Sequence, residues 1–219
     1  VDLDEPVSAG LTRPIINIDL AMTTNGFCIA AIDDRGNIHV EKSSVQKNLI
    51  TDESSVSTLE TTFKGDQNHS DFRFVRVSGL GDQLFVFTPS GFFERFVIRD
   101  VTSPVLMEQR QLLQKNQTIT HITRLFGGSS FVLGDDSGTT SILFTSRDTG
   151  LNTKDGLATK ITATFASRPN DSYQQKKDAR ITAISSSPRS RLFAIASADG
   201  FVRLLHASNH SIVAEISSK

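Results

Sequence analysis

Four apolar runs along the chain each end at a short turn that contains glycine, and a second β-rich run follows each turn. The turn glycines are Gly36, Gly91, Gly138 and Gly200. Their spacings of 55, 47 and 62 residues lie close to the ~40–50 residues typical of a propeller blade with insertions. Glycine adopts a positive φ at such turns without a Cβ clash, so each repeat is predicted to contain a β-hairpin.

The strands that enter these turns are apolar at consecutive positions, as in residues 27–32 and 192–196. A strand with one wet face alternates between apolar and polar residues, so consecutive apolar positions predict that both faces are covered. Each blade of a propeller packs between two neighbours, whereas a β-sandwich buries only one face of each sheet. The pattern therefore predicts an all-β, β-propeller-like fold.

The four repeats divide the chain into recognisable blades. They cover about residues 13–63, 72–113, 119–165 and 181–216. We interpret residues 1–219 as a single propeller-like domain. The blade number stays open, because 219 residues could hold five blades and the ring could be incomplete. In the second repeat we expect an outer strand near 106–113, with a short helix over 106–117 as the alternative.

Composition fits a globular unit, since 37% of the residues are hydrophobic and 21% are charged. No stretch approaches the ~18–20 apolar residues of a membrane-spanning helix. The chain begins with Val1 and an acidic stretch rather than with Met or a signal peptide, so we expect it to be excised from a longer chain. Its net charge of −1 gives no general argument for nucleic-acid binding.

Charge is distributed unevenly along the chain. Residues 1–70 hold 11 acidic and 5 basic side chains, whereas residues 71–219 hold 13 acidic and 18 basic ones. Such an asymmetry could orient a partner protein.

Residue types that carry chemistry are few and scattered. Cys28 is the only cysteine and lies within an apolar strand, so we interpret it as a small buried hydrophobe. His206 and His210 have a spacing that pairs metal ligands on a helix, but here they span a strand end and a turn. We therefore predict no metal-binding residue.

Two pairs of neighbouring carboxylates precede turn glycines: Asp33 with Asp34, and Asp135 with Asp136. A calcium loop needs alternating Asp ligands and a distal Glu, which both places lack. We predict that these carboxylates cap turns. The sequence offers no catalytic or cofactor-binding residue, so we expect no enzyme activity and no cofactor.

One segment is rich in positive charge. Its six basic residues are Arg168, Lys176, Lys177, Arg180, Arg189 and Arg191. They could form a surface for an anion or an acidic partner, although we favour a solvated loop as the explanation of this segment. Aromatic residues do not interleave with them as they do in single-strand nucleic-acid binders.

The fourth repeat resembles a WD repeat strand by strand. The matching stretches are residues 181–184, 187–188, 191–196, 198–200 and 202–205. Leu205 stands at the usual Trp position, and Phe96, Leu143 and Glu41 stand at the corresponding positions of the other repeats. The chain contains no Trp, so its repeats are divergent relatives of that family.

A narrower resemblance covers nearly the whole chain. It rests on residues 10–14, 133–138, 142–144, 147–148 and 200–208. These stretches are similar to the extracytoplasmic insertion of bacterial permease subunits of the phosphate ABC transporter. In that family a propeller-like domain lies between the first membrane helix and the transport core. The resemblance implies a periplasmic domain of an inner-membrane protein.

The patterns predict a non-enzymatic interaction or regulatory domain, and the resemblance implies that it belongs to a phosphate-type permease. Its expected partner is a protein, either another transporter component or a second copy, with no nucleic acid and no small-molecule substrate. The alternative is a soluble WD-like scaffold for protein–protein interaction that is unrelated to transport. A propeller hydrolase or dehydrogenase is disfavoured because the polar residues of such sites are missing.

Overall fold

The computed structural model describes residues 13–47, 54–66, 68–69, 71–125, 128–147, 153–166, 179–187, 189–208 and 211–217. Within those ranges the chain forms sixteen β-strands and no helix. The strands build four antiparallel sheets of four strands each, and each sheet contains four consecutive strands in chain order. The predicted all-β, propeller-like fold with four blades is confirmed, and the segment near residue 106 is a strand.

Blade 1 contains β1 (Ile15–Thr23), β2 (Gly26–Asp33), β3 (Asn37–Lys47) and β4 (Ser54–Lys64). Blade 2 contains β5 (Phe74–Val77), β6 (Gln83–Phe87), β7 (Phe92–Val97) and β8 (Val105–Gln111). Blade 3 contains β9 (Ile119–Arg124), β10 (Ser130–Asp135), β11 (Thr139–Arg147) and β12 (Leu157–Ala166). Blade 4 contains β13 (Ile181–Ser186), β14 (Leu192–Ser197), β15 (Phe201–His206) and β16 (Ser211–Ser217).

The hairpin between the second and third strand of each blade follows the predicted turn chemistry. All four repeat glycines adopt φ values between 75° and 90°. In blade 1, Asp33 Oδ1 accepts hydrogen bonds from the backbone N–H groups of Arg35 and Asn37, at 2.9 and 2.8 Å. Asp135 Oδ1 accepts the equivalent pair of bonds in blade 3. Asp33 and Asp135 therefore cap turns, as predicted, whereas Asp136 Oδ1 accepts the N–H of Thr118 and Asp34 lies 3.7 Å from the Arg13 guanidinium.

Three apolar clusters fill the spaces between successive blades. Strand β6 shows how the blades share them. Leu84 and Val86 point into the cluster shared with blade 1, whereas Phe85 and Phe87 point into the cluster shared with blade 3. All four of these side chains are fully buried. Consecutive apolar residues therefore bury opposite faces of one sheet, as the sequence predicts.

The position that holds Trp in WD repeats lies in these clusters in three blades. Phe96, Leu143 and Leu205 are 5%, 0% and 2% exposed. In blade 1 the equivalent residue, Glu41, pairs across the sheet with Glu60 and is only partly buried. Large apolar side chains thus replace Trp wherever a preceding blade covers the position.

A buried ion pair joins blade 2 to blade 3. The Arg95 guanidinium is fully buried, and its Nε donates to Glu108 at 3.2 Å. Its Nη1 and Nη2 donate to the two carboxylate oxygens of Asp155 at 2.6 and 2.9 Å. Burial alone would lower the pKa of Arg95, but bonds and charges from Asp155 and Glu108 raise it. The charge is therefore paired and fully hydrogen-bonded, as a buried charge must be.

The blades form an open arc in the described part of the chain. Blade 1 packs on blade 2, blade 2 on blade 3 and blade 3 on blade 4. No strand of blade 4 packs to a similar extent on a strand of blade 1 within the described ranges. One face of each terminal blade is consequently left without a neighbouring sheet.

Replacing Leu205 by Ala should lower the free energy of unfolding by about 2–5 kcal/mol, because the substitution removes buried methyl groups and leaves a cavity. Leu80, which is 76% exposed in the turn between β5 and β6, provides a matched control. Leu80→Ala should change stability by no more than about 0.5 kcal/mol. Urea unfolding of both variants measures the difference, and an unchanged midpoint for Leu205→Ala would show that the repeats are misaligned.

Candidate functional site

The first strands of the four blades lie side by side along the inner side of the arc. They line a cavity of about 580 Å³, whose wall includes Leu20, Met22, Arg76, Arg124 and Ser186. In a complete propeller this place corresponds to the central channel. We call it the channel cavity.

Side chains on β1 form hydrogen bonds to the backbone of β5. Asn17 Oδ1 accepts the N–H of Val75 at 3.0 Å, and Asp19 Oδ2 accepts the N–H of Val77 at 2.8 Å. The two strands belong to different sheets and share no backbone ladder. The polar side chains therefore satisfy backbone groups that the sheet leaves unpaired.

Two arginines extend this pattern to blade 3. Arg76 Nη1 donates to Asn17 at 2.9 Å, and Arg76 Nε donates to the Ile122 carbonyl at 3.2 Å. Arg124 donates to the carbonyls of Val77 and Leu20, at 2.7 and 3.0 Å. From the inner side of the arc, Arg76 of blade 2 thus binds blades 1 and 3, and Arg124 of blade 3 binds blades 1 and 2.

Blade 4 joins the same network. Ser186 Oγ donates to the Arg124 carbonyl at 2.6 Å. Thr120 Oγ1 donates to the Ile181 carbonyl at 2.8 Å. All four inner strands are therefore linked through side-chain bonds.

The wall of the channel cavity carries two guanidinium groups and one carboxylate. Burial lowers the pKa of Arg76, Asp19 acts in the opposite direction, and the Arg124 charge lowers the pKa further. Arg124 Nη1 lies 3.9 Å from Asp19 Oδ2. Arg76 donates three hydrogen bonds to backbone oxygens and Arg124 donates two, and most of these bonds connect one blade to another.

A second, smaller cavity of about 220 Å³ lies at the rim between blades 1 and 2. Its wall includes Lys64, Asp66, His69 and Phe72. The His69 ring stacks on Phe92, with ring centroids 3.6 Å apart and planes 4° from parallel.

Glu94 lies beside this rim cavity and is fully buried. Its Oε1 accepts the N–H of Asp66 at 3.0 Å, whereas its Oε2 has no hydrogen-bond partner among the described residues. A Cβ added at Gly65 would lie 2.3 Å from that Oε2 and 2.4 Å from Cε2 of the buried Phe72 ring, so a larger residue there would have to displace both. Burial raises the pKa of Glu94 from 4.5 to about 7, and the nearby Asp66 charge acts in the same direction.

The predicted basic surface is only partly described. Arg168, Lys176 and Lys177 fall outside the described residues. Arg180 precedes β13, while Arg189 and Arg191 follow its other end, and all three are exposed. A six-residue strand is roughly 20 Å long. Arg180 therefore lies about one strand length from Arg189 and Arg191, and the surface of six basic residues stays a prediction.

The other residues singled out from the sequence have structural contacts. Cys28 is fully buried, and burial raises the pKa of its thiol to about 11. His206 Nδ1 accepts the N–H of Ser208 at 3.3 Å, and His210 lies outside the described residues. In the described part of the chain, no three His, Cys, Asp or Glu side chains are placed to hold a metal ion.

The sequence interpretation overlooked the charged residues that connect the blades. Arg76, Arg124 and Glu94 attracted no prediction. A signal was available for Glu94 and Arg95, because two adjacent charges interrupt the apolar run over residues 92–98. A charge within such a run must be buried with its sheet.

Comparisons with known proteins agree with this fold. The crystal structure of Sqt1 from Saccharomyces cerevisiae, a WD40 protein, matches with a TM-score of 0.61 at 11% sequence identity. The match covers 94% of this chain and 48% of the Sqt1 chain, so this chain spans about half the length of Sqt1. No protein-family model and no curated protein sequence matches the chain. The chain is thus a WD-repeat-like β-propeller in fold.

Replacing Glu94 by Gln should change how stability depends on pH. Unfolded Glu94 loses its proton near pH 4.5 and folded Glu94 near pH 7, so the native state binds more protons between these values. The free energy of unfolding that Glu94 contributes through its bound proton is therefore fully present below pH 4.5 and is lost as the pH rises to about 7. Glu94→Gln should abolish this loss and be more stable than the wild type at pH 8.

Urea unfolding at several pH values measures the effect. Glu60→Gln, a substitution on the exposed strand β4, is the matched control and should keep the wild-type pH profile. If the difference in stability between Glu94→Gln and the wild type does not change between pH 4.5 and pH 8, Glu94 is ionised throughout that range.

Proposed function

We propose that this chain is a non-enzymatic propeller domain that serves as a protein-interaction or regulatory platform. The proposal rests on one observation, which is that the charged side chains inside the domain bind neighbouring blades. Arg76, Arg124 and Arg95 direct their donors at backbone carbonyls and carboxylates of neighbouring blades. These contacts hold blades together, and WD40-like scaffolds commonly present loops and rims to partner proteins.

In the finer form of the proposal, the domain belongs to a phosphate-type ABC permease of a bacterial inner membrane and faces the periplasm. Support comes from the resemblance of residues 133–138 and 200–208 to the insertion in that family. Residues 133–138 cover the end of β10 and the turn before β11, and residues 200–208 cover a turn glycine, β15 and the two residues after it. Among the described residues, none forms a helix long and apolar enough to cross a membrane.

The second candidate is a soluble WD-like scaffold unrelated to transport, which the likeness to Sqt1 favours. Many solved chains share this fold, so the fold alone does not choose between the two. Sequence flanking residues 1–219 separates them, because membrane spans on either side support the permease.

The isolated domain should not bind inorganic phosphate specifically. A dedicated phosphate site needs several convergent donors in a cleft, whereas Arg180 and Arg189 lie at opposite ends of β13. Calorimetric titration with phosphate should give no saturable heat at micromolar concentrations.

Micromolar binding that Arg180→Ala or Arg189→Ala abolishes would contradict this prediction and make the domain a phosphate sensor. Arg99→Ala, at an exposed position of blade 2, is the matched control for loss of one surface charge.

The platform itself is tested by measuring binding of the domain to the purified substrate-binding component of a phosphate transporter. Saturable binding supports the permease proposal, and no binding favours the unrelated scaffold.

A further inference from the structure

One end of all four blades carries the turns that join the first strand to the second and the third strand to the fourth. Successive blades meet there, because the Gly79 N–H donates to the Gly128 carbonyl at 3.0 Å and Lys42 Nζ donates to the Gly81 carbonyl at 3.4 Å. The rim cavity lies at the opposite end, beside the hairpin turn that contains Gly36. We call the first end the far rim. It begins in each blade at the residue six after the turn glycine and at the residues paired with it.

Large apolar side chains of the far rim are exposed to solvent on three blades. Leu80, in the turn between β5 and β6, is 76% exposed, and Leu59, Val105 and Phe144 are 53%, 45% and 46% exposed. Leu59 pairs across the sheet with Lys42, whose Nζ binds the turn that contains Leu80. Blades 1, 2 and 3 therefore each present apolar surface on the same rim.

This exposure does not come from the lack of a neighbouring blade. Leu59 lies on the same face of β4 as Phe63, which packs into the cluster between blades 1 and 2. Phe144 lies on the same face of β11 as Ile142, which packs into the cluster between blades 3 and 4. Both faces already have a neighbouring blade within this chain. A further blade stacked on either end of the arc would leave the far rim uncovered.

The far rim is also rich in positive charge. Among its described side chains, seven are basic and three are acidic. Blade 3 holds three of the basic side chains, blade 4 holds two, and blades 1 and 2 hold one each. Asp155 pairs with the buried Arg95, and Asp100 caps its own turn. In contrast, the side chains of Arg99 and Lys154 form no hydrogen bond or ion pair with another described residue, so they are available for acidic groups.

A partner that covers the far rim must match both properties. Its acidic side chains would pair with the basic ones, and its apolar side chains would remove Leu80 and Phe144 from water. Leu59, Val105 and Phe144 lie in strands, behind turns that carry charged residues such as Asp100. Side chains of a protein segment can enter between these turns, whereas a flat bilayer would meet the charged turns first.

We propose that the far rim binds a segment of a partner protein in which acidic residues are interspersed with apolar ones. The proposal rests on the function proposed above and names the chemistry of the partner. Leu80 is the main apolar contact, because exposed apolar surface bordered by charged residues marks interaction sites. The basic residues of blades 2, 3 and 4 bind the carboxylates of the segment.

Fluorescence anisotropy of a labelled peptide tests this chemistry. The probe carries glutamates interspersed with leucines and phenylalanines. One control peptide has lysines in place of the glutamates, and a second has serines in place of the apolar residues. The 219-residue chain should bind the probe about tenfold more tightly than either control, and added salt should weaken the binding. Equal binding of all three peptides, or no binding of the probe, would overturn the proposal.

Substitutions locate the contact. Leu80→Ser and Lys154→Glu should each weaken binding of the probe about tenfold, since one removes the apolar contact and the other reverses a charge. Ile216→Ser and Arg35→Glu are matched controls at the opposite end of the blades and should bind as the wild type does; Ile216 is 67% exposed and Arg35 is exposed. Circular dichroism should show the same β-sheet signal for all four variants. If Leu80→Ser and Lys154→Glu bind the probe as tightly as the wild type, the far rim is not its site.

Two further measurements separate this inference from the platform proposal. If the substrate-binding component of the transporter binds and neither Leu80→Ser nor Lys154→Glu weakens it, the platform stands and the far rim is excluded as its contact. If both variants weaken that binding, the far rim is supported. Vesicles of phosphatidylglycerol provide the second measurement. A chain that binds these vesicles and not the probe would overturn the proposal, because the far rim would then be a lipid-binding surface.

Discussion

Burial of both faces of every sheet is the constraint on which this structure depends. Leu84 and Phe85 are adjacent in β6, yet they lie in apolar clusters on opposite sides of blade 2. A four-stranded sheet with two apolar faces cannot be stable alone in water, because each face needs a neighbouring sheet. The repeats therefore stabilise one another, as neighbouring units do in other repeat proteins. The arc is a series of shared interfaces rather than four independent hairpin units.

Polar groups between the blades follow from the same arrangement. The inner strands belong to different sheets, so their facing backbone groups have no ladder partner. Asn17, Asp19 and Arg124 provide these partners from their side chains. Arg95 does the same farther out, where it joins Asp155 and the Leu157 carbonyl. These charged and polar side chains therefore connect neighbouring blades.

Local sequence was sufficient to predict the blades. Turn glycines and consecutive apolar residues act within one hairpin, so their meaning does not depend on distant contacts. The links between blades could not be predicted in the same way. Asn17 and Val75 are 58 residues apart, and Arg95 and Leu157 are 62 apart. The basic surface stays a prediction, since only Arg180, Arg189 and Arg191 of its six residues are described, and Arg180 and Arg189 lie at opposite ends of β13.

The central claim is that neighbouring blades stabilise each other through their shared faces. Phe131 of blade 3 tests it, because this fully buried ring lies 4.7 Å from the ring of Phe85 in blade 2. The most direct measurement is native-state amide hydrogen exchange of β6 and β10 in Phe131→Ala. The account predicts that the free energy of opening falls by the same amount in both strands, about 3–5 kcal/mol. A loss confined to β10, with β6 unchanged, would show that the blades unfold independently and would contradict the account.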